Sequence, residues 1–312
     1  MEERVEDDRV ADHQRPALRR KRSSSMKRAV LRTAGALRLL PSVTDLLLYT
    51  KSSHWAKGSQ WRSLWRGHEP RWSGLPPPKL RFSAAGTSDP AWFDESGRRG
   101  ASLILGLMRE DPSIGRILDF GCGCGRVTRH LVAEGVRVQG VDWNPAAVAW
   151  CRQHLEGDFF VGTLEPPLEL RDGAPFDLIY FDLIYAFSVL THLTVELQVA
   201  WLEELAAKLD GEGLLVISTH GEACSGLLSE VEARSFSSGS VVVRAPYAAG
   251  TNVCAAYHPP GSLESLLPRS LTVERFVAEG ALGNPPQDLW VLRRTAGTGR
   301  DGSNPRSHQV ST

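Results

Sequence analysis

Through the middle of the chain, short unbroken apolar runs alternate with stretches in which apolar side chains recur every three or four positions. The runs cover 116–120, 137–142 and 158–162, and such a run between turn residues reads as a strand buried on both faces. The stretches between them, 126–134 and 145–155, read as helices, the second opened by Asn144 as cap and Pro145 at the first helical position. Strand and helix in alternation demand a parallel sheet with right-handed crossovers. Downstream, Val195, Val199, Leu202, Leu205 and Leu209 form one apolar stripe, which predicts a helix over 195–208 capped by Thr194 and stopped by Gly211 and Gly213. Leu214 to Ser218 follows as a fifth strand. Upstream, Asp89 and Pro90 open a helix that runs through Trp92, Phe93, Leu103, Leu107 and Met108 to about Glu110, with Gly97 and Gly100 weakening it. After strand five the pattern predicts a helix over Leu227 to Phe236, a hairpin pairing 240–245 with 252–257, a short helix over Ser262 to Leu267, and strands at Leu271 to Val277 and Leu289 to Arg293.

One stretch breaks the rhythm. Phe176-Asp177-Leu178-Ile179-Tyr180 is repeated at once as Phe181-Asp182-Leu183-Ile184-Tyr185. Five is odd, so two copies in one strand would point each repeated side chain to opposite faces of the sheet. Ten residues also overshoot a usual strand. The second copy, continuous with Ala186-Phe187-Ser188, is therefore expected to form strand four, with the first extruded ahead of it.

Composition narrows the class. A chain of 312 residues with 42% apolar side chains suffices for one large α/β domain plus additions. Lys plus Arg equals Asp plus Glu at 36 each, so no net field draws it to nucleic acid. The five cysteines are odd in number and lie in no metal-ligand spacing, which argues against a disulfide framework. No apolar run reaches the roughly 18 residues of a membrane span. Met1 to Asp12 is charged rather than apolar, so no secretory signal is expected and the cytoplasm is the expected compartment. Residues 1–28 read as a disordered charged tail, 29–88 as an arm, 89–295 as the main domain with a hairpin inserted at 238–260, and 296–312 as a disordered tail. In the arm, Trp55, Trp61, Trp65 and Trp72 lie among Lys57, Arg62, Arg66 and Arg71. Such interleaving pins an irregular arm onto a domain, lines an acceptor pocket, stacks bases, or lies at a membrane surface.

The candidate chemistry begins where the first strand ends. Ile117-Leu118-Asp119-Phe120 delivers Gly121-Cys122-Gly123-Cys124-Gly125 into a helical pattern opened by Arg126, an arrangement that aims backbone N–H groups at a ligand. A dinucleotide site wants glycine where Arg126 stands, and a P-loop wants a lysine that is missing. Asp119 would repel a pyrophosphate and could pair with the ammonium of an amino-acid moiety. Asp142, ending the second strand, is positioned to accept hydrogen bonds from two ribose hydroxyls. Ribose plus amino acid without phosphate describes S-adenosylmethionine. Trp143 is placed to lie along an adenine face, or else to cover the sheet edge.

ILDFGCGCGRVTRHL followed by GVDWNPAAVAWC resembles the first half of a class I S-adenosylmethionine-dependent methyltransferase, and the resemblance extends from about Ile117 to His220. YAFSVLTHL and LLVISTHGE resemble a bacterial small-molecule branch of that family. The resemblance implies an α/β, Rossmann-like fold: a seven-stranded, mostly parallel sheet with helices on both faces, the last two strands forming a reversed pair at one edge. It implies that the helix before strand one covers the cofactor, and that Asp119, Gly121, Cys122, Gly123, Gly125, Asp142, Trp143, Thr163, Leu164, Ala186 and Phe187 surround it. Thr163 stands where many members carry an acidic residue for the adenine amino group, leaving that task to its hydroxyl and to the backbone of Thr163 and Leu164.

Methyl transfer to a hydroxyl or amine needs alignment and a proton acceptor. His192 after strand four and His220 after strand five are the candidates for a base, each with a structural alternative. Asn252 and His258, on the inserted hairpin, could fold over the acceptor. No acidic metal cluster is visible, and Glu165-Pro166-Pro167-Leu168 follows strand three rather than the Asn/Asp-Pro-Pro-Tyr/Phe of amino-methylating DNA enzymes after strand four. The expectation is methyl transfer to a small-molecule acceptor such as a sugar, glycolipid precursor or secondary metabolite. A protein or RNA methyltransferase using the arm, and a non-catalytic cofactor-binding protein, stay open as alternatives.

Overall fold

The computed structural model describes residues 72–170 and 180–295. The expected charged tail at 1–28, the arm as far as residue 71, residues 176–179 of the first repeat copy and the tail at 296–312 lie outside that range.

Six helices and nine strands are described: α1 (Pro78–Ala85), α2 (Pro90–Glu110), β1 (Ile117–Phe120), α3 (Thr128–Ala133), β2 (Val138–Asp142), α4 (Pro145–His154), β3 (Asp158–Val161), β4 (Phe181–Ala186), α5 (Val195–Lys208), β5 (Leu209–Thr219), α6 (Glu230–Ser237), β6 (Val242–Arg244), β7 (Ala255–Tyr257), β8 (Leu271–Ala281) and β9 (Gln287–Arg294). Seven strands form one sheet in the order β3-β2-β1-β4-β5-β9-β8, and β6 with β7 makes a separate hairpin. Pairing is parallel from β3 to β5. It is antiparallel between β5 and β9 and between β9 and β8, so the sheet is Rossmann-like with a reversed pair at one edge. No helix among the described residues is long and apolar enough to cross a membrane.

The caps act as their residue types require. Asp89 accepts from the N–H groups of Ala91 and Trp92, Asn144 from those of Ala146 and Ala147, and Thr194 from that of Leu197. Strand four is the second copy of the repeat, in register with β1 through Ile117 opposite Leu183 and Asp119 opposite Tyr185. Strand parity divides the core. Leu118, Phe120, Ile184, Leu215 and Ile217 face Trp201, Leu202 and Leu205 of α5, while Ile117, Leu183, Tyr185 and Val216 face Ala101, Ile104 and Leu107 of α2. Each of the leucine, isoleucine, valine and phenylalanine side chains among these, when fully withdrawn from water, contributes roughly 1.5–3 kcal/mol.

Several boundaries differ from expectation for local reasons. Gly125 takes a φ of 75°, incompatible with a helix, and the regular turns of α3 begin only at Thr128. Gly211 and Gly213 do not stop α5, which already ends at Lys208; they sit in an irregular stretch at the start of β5, where the pairing with β4 slips. The helix expected over Leu227 to Phe236 divides into a 3-10 turn (Glu222–Leu227) and α6, opened by a capping box of Ser229 and Glu232. Gly97 and Gly100, expected only to weaken α2, are what lets it approach the glycine loop. A Cβ on Gly97 would stand 2.0 Å from the Arg126 carbonyl oxygen, and one on Gly100 2.8 Å from Val127.

Candidate active site

The turn after β1 is tied to the end of β2. The N–H groups of Gly121 and Cys122 both donate to the carbonyl of Val141, at 2.8 and 3.0 Å. Gly121 and Gly123 have positive φ, 80° and 53°, a region that side chains other than glycine enter only at a cost. Gly123 N–H donates to one oxygen of Asp142 at 2.8 Å and Asn144 N–H to the other at 2.7 Å. These two donors fix the orientation of a carboxylate that can accept about four hydrogen bonds.

Above the C-terminal ends of β3, β2, β1 and β4 lies a cleft enclosing about 1040 Å³ of empty space, its mouth included. Of the residues expected at the site, Gly121, Gly123, Asp142 and Trp143 line it on one side and Thr163, Leu164, Phe187 and His192 on the other. Its roof comes from α1 and from the segment around Asn252. Ser83 and Ala84 of α1 line the cleft, and Asn252 reaches across to donate to the carbonyls of Phe82 and Ser83 at 3.0 and 2.7 Å. Asn144 adds a bond to the Ser83 hydroxyl at 3.2 Å. Asn252, expected over the acceptor, thus clasps α1 as well as lining the cleft.

Five expected residues are not brought to the cleft. Asp119 is the correction with the clearest cause. Parity turns it with Ile117 toward α2 while Phe120 takes the cleft side, so its carboxylate accepts from the Thr128 hydroxyl at 2.5 Å, with the Tyr185 hydroxyl 3.0 Å from Thr128. Burial pushes its pKa up to about 6, against the pull of those hydroxyls and of the Arg126 charge. It faces no ammonium in the cleft. Cys122 packs beneath the loop with Val148, Cys151 and Phe159, and Gly125 lies against Leu155 and Cys151. Ala186 is fully buried in β4, and His220 sits behind the cleft wall.

The two histidines differ in what their rings can do. His192 Nδ1 lies 2.8 Å from the carbonyl of Cys254. A carbonyl only accepts, so Nδ1 carries the proton and Nε2 keeps its lone pair, and burial holds the ring's pKa below its usual value. His220 Nδ1 is likewise held, 3.1 Å from the carbonyl of Ala256, but its Nε2 is 3.5 Å from the side-chain nitrogen of Gln287 and its ring stacks on Tyr257. Burial, with the charge of His192, lowers its pKa to about 4. His258 is not at the cleft either: its Nε2 donates to Gln198 at 2.8 Å.

The sequence profile of a family described as a methyltransferase domain matches residues 93–269, more than half of the 312 residues. The chain belongs to that family. Its sheet order is that of the class I S-adenosylmethionine-dependent methyltransferase fold. A ubiquinone biosynthesis O-methyltransferase of Bradyrhizobium diazoefficiens is 33% identical over 109 residues, covering 33% of this chain and 39% of the relative. One from Maricaulis maris is 40% identical over 81 residues, covering 24% of this chain and 32% of its own length. The chain therefore spans less than half the length of these curated relatives. Among solved structures, magnesium protoporphyrin IX methyltransferase of Synechocystis PCC 6803, with S-adenosylmethionine bound, is 14% identical, with a TM-score of 0.46 over 79% of this chain and 96% of that one.

The methyltransferase's cleft fits its cofactor by the charges it presents. Its described lining includes two carboxylates, Asp142 and Glu169, and no lysine or arginine. That lining suits a phosphate-free nucleoside joined to a sulfonium cation and disfavours a diphosphate. Asp142 could hold the ribose hydroxyls and Trp143 with Leu164 the adenine. At the far end of the cleft Ser188, with a φ of 61°, is a strained non-glycine residue. Its N–H donates to the Ser218 hydroxyl at 2.8 Å, its own hydroxyl donates to Gln287 Oε1 at 3.0 Å, and Ser218 donates to the same oxygen at 2.6 Å. The sequence reading missed Gln287 and the pairing of these serines, because they lie on three strand ends far apart in the chain.

Proposed function

We propose that this methyltransferase moves the methyl group of S-adenosylmethionine to a nucleophilic oxygen or nitrogen of a small molecule, with His192 as the proton acceptor. When bound, the cofactor supplies an activated methyl carbon whose bond to sulfur breaks as the nucleophile attacks from the opposite side. The residues of the chain align, exclude water and take the proton. Asp142 and the glycine turn set the nucleoside end, α1 and Asn252 shut the roof, and Phe187 with Ser188 forms the wall at the reacting end. One observation carries the base assignment: the Cys254 carbonyl fixes the tautomer of His192, leaving a neutral Nε2 lone pair on a residue that lines the cleft. An oxygen acceptor is further supported by the curated relatives, which are named as O-methyltransferases.

Isothermal titration with S-adenosylhomocysteine should show binding that Asp142→Ala weakens by roughly 1.5–3 kcal/mol, the range for a hydrogen bond to a charged group. Transfer of labelled methyl groups into a fractionated cell extract should then yield a small labelled product. Unchanged affinity in the variant sinks the ribose assignment, and label appearing only in protein or RNA sinks the small-molecule acceptor.

A further inference from the structure

Beside the cofactor cleft, across the wall made by Phe187 and Ser188, lies a second cavity of about 540 Å³, its mouth included. It is bounded by α2, the end of the glycine loop, and the end of β8 with the turn to β9, and unlike the cleft it is lined by two arginines, Arg99 and Arg126, against one carboxylate, the exposed Glu279. Arg99 is exposed and already paired with Glu95. Arg126 is different: it is 9% exposed, and among the described residues no hydrogen bond or ion pair reaches its guanidinium. Its contacts are the face of Trp92, 5.9 Å away, and the more distant charge of Asp119. A guanidinium has five N–H donors in a rigid fork that matches a planar, two-oxygen anion, and those of Arg126 meet no protein acceptor among the described residues. The described lining of the nucleoside cleft holds no cation for the cofactor's carboxylate, and Phe187 and Ser188 line both cavities.

We infer that the second cavity is a carboxylate-binding site in which Arg126 is the buried cation. The carboxylate comes from one of two sources, the amino-acid end of the cofactor or an acidic acceptor. In the second case the acceptor class is narrowed to molecules that carry a carboxylate near the methylated atom. Ser96 and Gln287, which also line the cavity, offer further polar contacts. The inference rests on the cofactor reading above, and its test separates the two.

The test uses the full chain and its Arg126→Gln and Arg126→Lys variants, titrated with S-adenosylhomocysteine and with 5′-methylthioadenosine, which keeps the nucleoside and thioether but has no carboxylate. If the cofactor supplies the anion, Arg126→Gln weakens S-adenosylhomocysteine at least about tenfold and leaves methylthioadenosine within twofold, while Arg126→Lys recovers part of the loss. If the acceptor supplies it, both nucleosides bind the variant as before. Acetate added to the S-adenosylhomocysteine-saturated protein then raises the melting temperature of the wild type and not that of Arg126→Gln. Methylthioadenosine binding reports that each variant is folded. Unchanged S-adenosylhomocysteine affinity together with no Arg126-dependent effect of acetate overturns the inference. Failure of methylthioadenosine to bind the wild type would instead overturn the nucleoside cleft, and an Arg126-dependent acetate effect would still uphold the anion site.

Discussion

Over β1 and β2, the polar contacts that fix the strand ends are short in sequence: Thr128 to Asp119 spans 9 residues and Gly123 to Asp142 spans 19. Over β4, β5 and β9 they are long, 30 residues from Ser188 to Ser218 and 69 from Ser218 to Gln287. The first end is a local motif, complete once one strand-turn-helix unit and its neighbour have formed. The second exists only after the antiparallel β9 has docked beside β5. The two also store opposite responses to acid. Asp119 binds its proton more tightly in the folded protein than in the unfolded chain, whereas the buried histidines of the second end bind theirs less tightly.

That contrast is open to attack at several points, and acid gives the largest expected effect. For His220 and His258 the folded pKa is about 4 against 6.5 unfolded, so the stability they contribute is full above about pH 6.5 and is lost as pH falls toward 4. For Asp119 the folded value of about 6 exceeds the unfolded 3.8, so its contribution grows as pH falls through the same region. Two histidines outweigh one carboxylate, and unfolding free energies at pH 7 and pH 4.5 should differ by a few kcal/mol in favour of pH 7, with the denaturation midpoint falling on acidification. Amide exchange should show the β6–β7 hairpin opening first, with β1 and β2 still protected. A midpoint that holds steady or rises on acidification would erase the contrast.

Next in size is the pair of histidines. His192→Ala should lower turnover about 10²-fold or more with cofactor affinity intact, while His220→Ala, which removes a support of the hairpin, should act mainly on stability. Equal loss of turnover in both would return His220 to the reacting end. The contact between α2 and the glycine loop is tested by Gly97→Ala, whose Cβ meets the Arg126 carbonyl. It should cost about 1–3 kcal/mol or more in denaturant unfolding and loosen cofactor binding with it. A neutral substitution would mean that helix and loop separate freely. Least is expected of Ser188→Gly, where relief of a positive φ offsets the lost bond to Gln287. Stability should stay within about 1 kcal/mol, and a larger drop would make that hydroxyl a principal tie of the network.

The same contrast governs how much could be read from residues alone. The glycine turn, the orientation of Asp142 and the caps at Asp89, Asn144 and Thr194 were legible because their partners lie within a few residues or one strand-helix unit. The repeat could be resolved in favour of its second copy because strand parity and strand length both forbade using the two together. Parity could also have been applied to Asp119. It shares a sheet face with Ile117, and the same logic would have turned it from the cleft. Gly97 and Gly100 looked like defects because the surface they meet, the backbone at 126 and 127, belongs to another element. Arg126 was legible only as a glycine that was absent, since burial without a partner is a property of the folded chain. Ser188, Ser218, Gln287 and the clasp of Asn252 on α1 carry no local pattern, because each depends on where the sheet brings distant strand ends.

The roof of the cofactor cleft joins residues 82 and 83 to Asn252, across 170 and 169 positions of the chain. A nascent chain emerging from the ribosome therefore assembles the floor of this cleft long before it can cover it. Until Asn252 has left the exit tunnel, the clasp that holds α1 over the glycine turn lacks the residue that closes it.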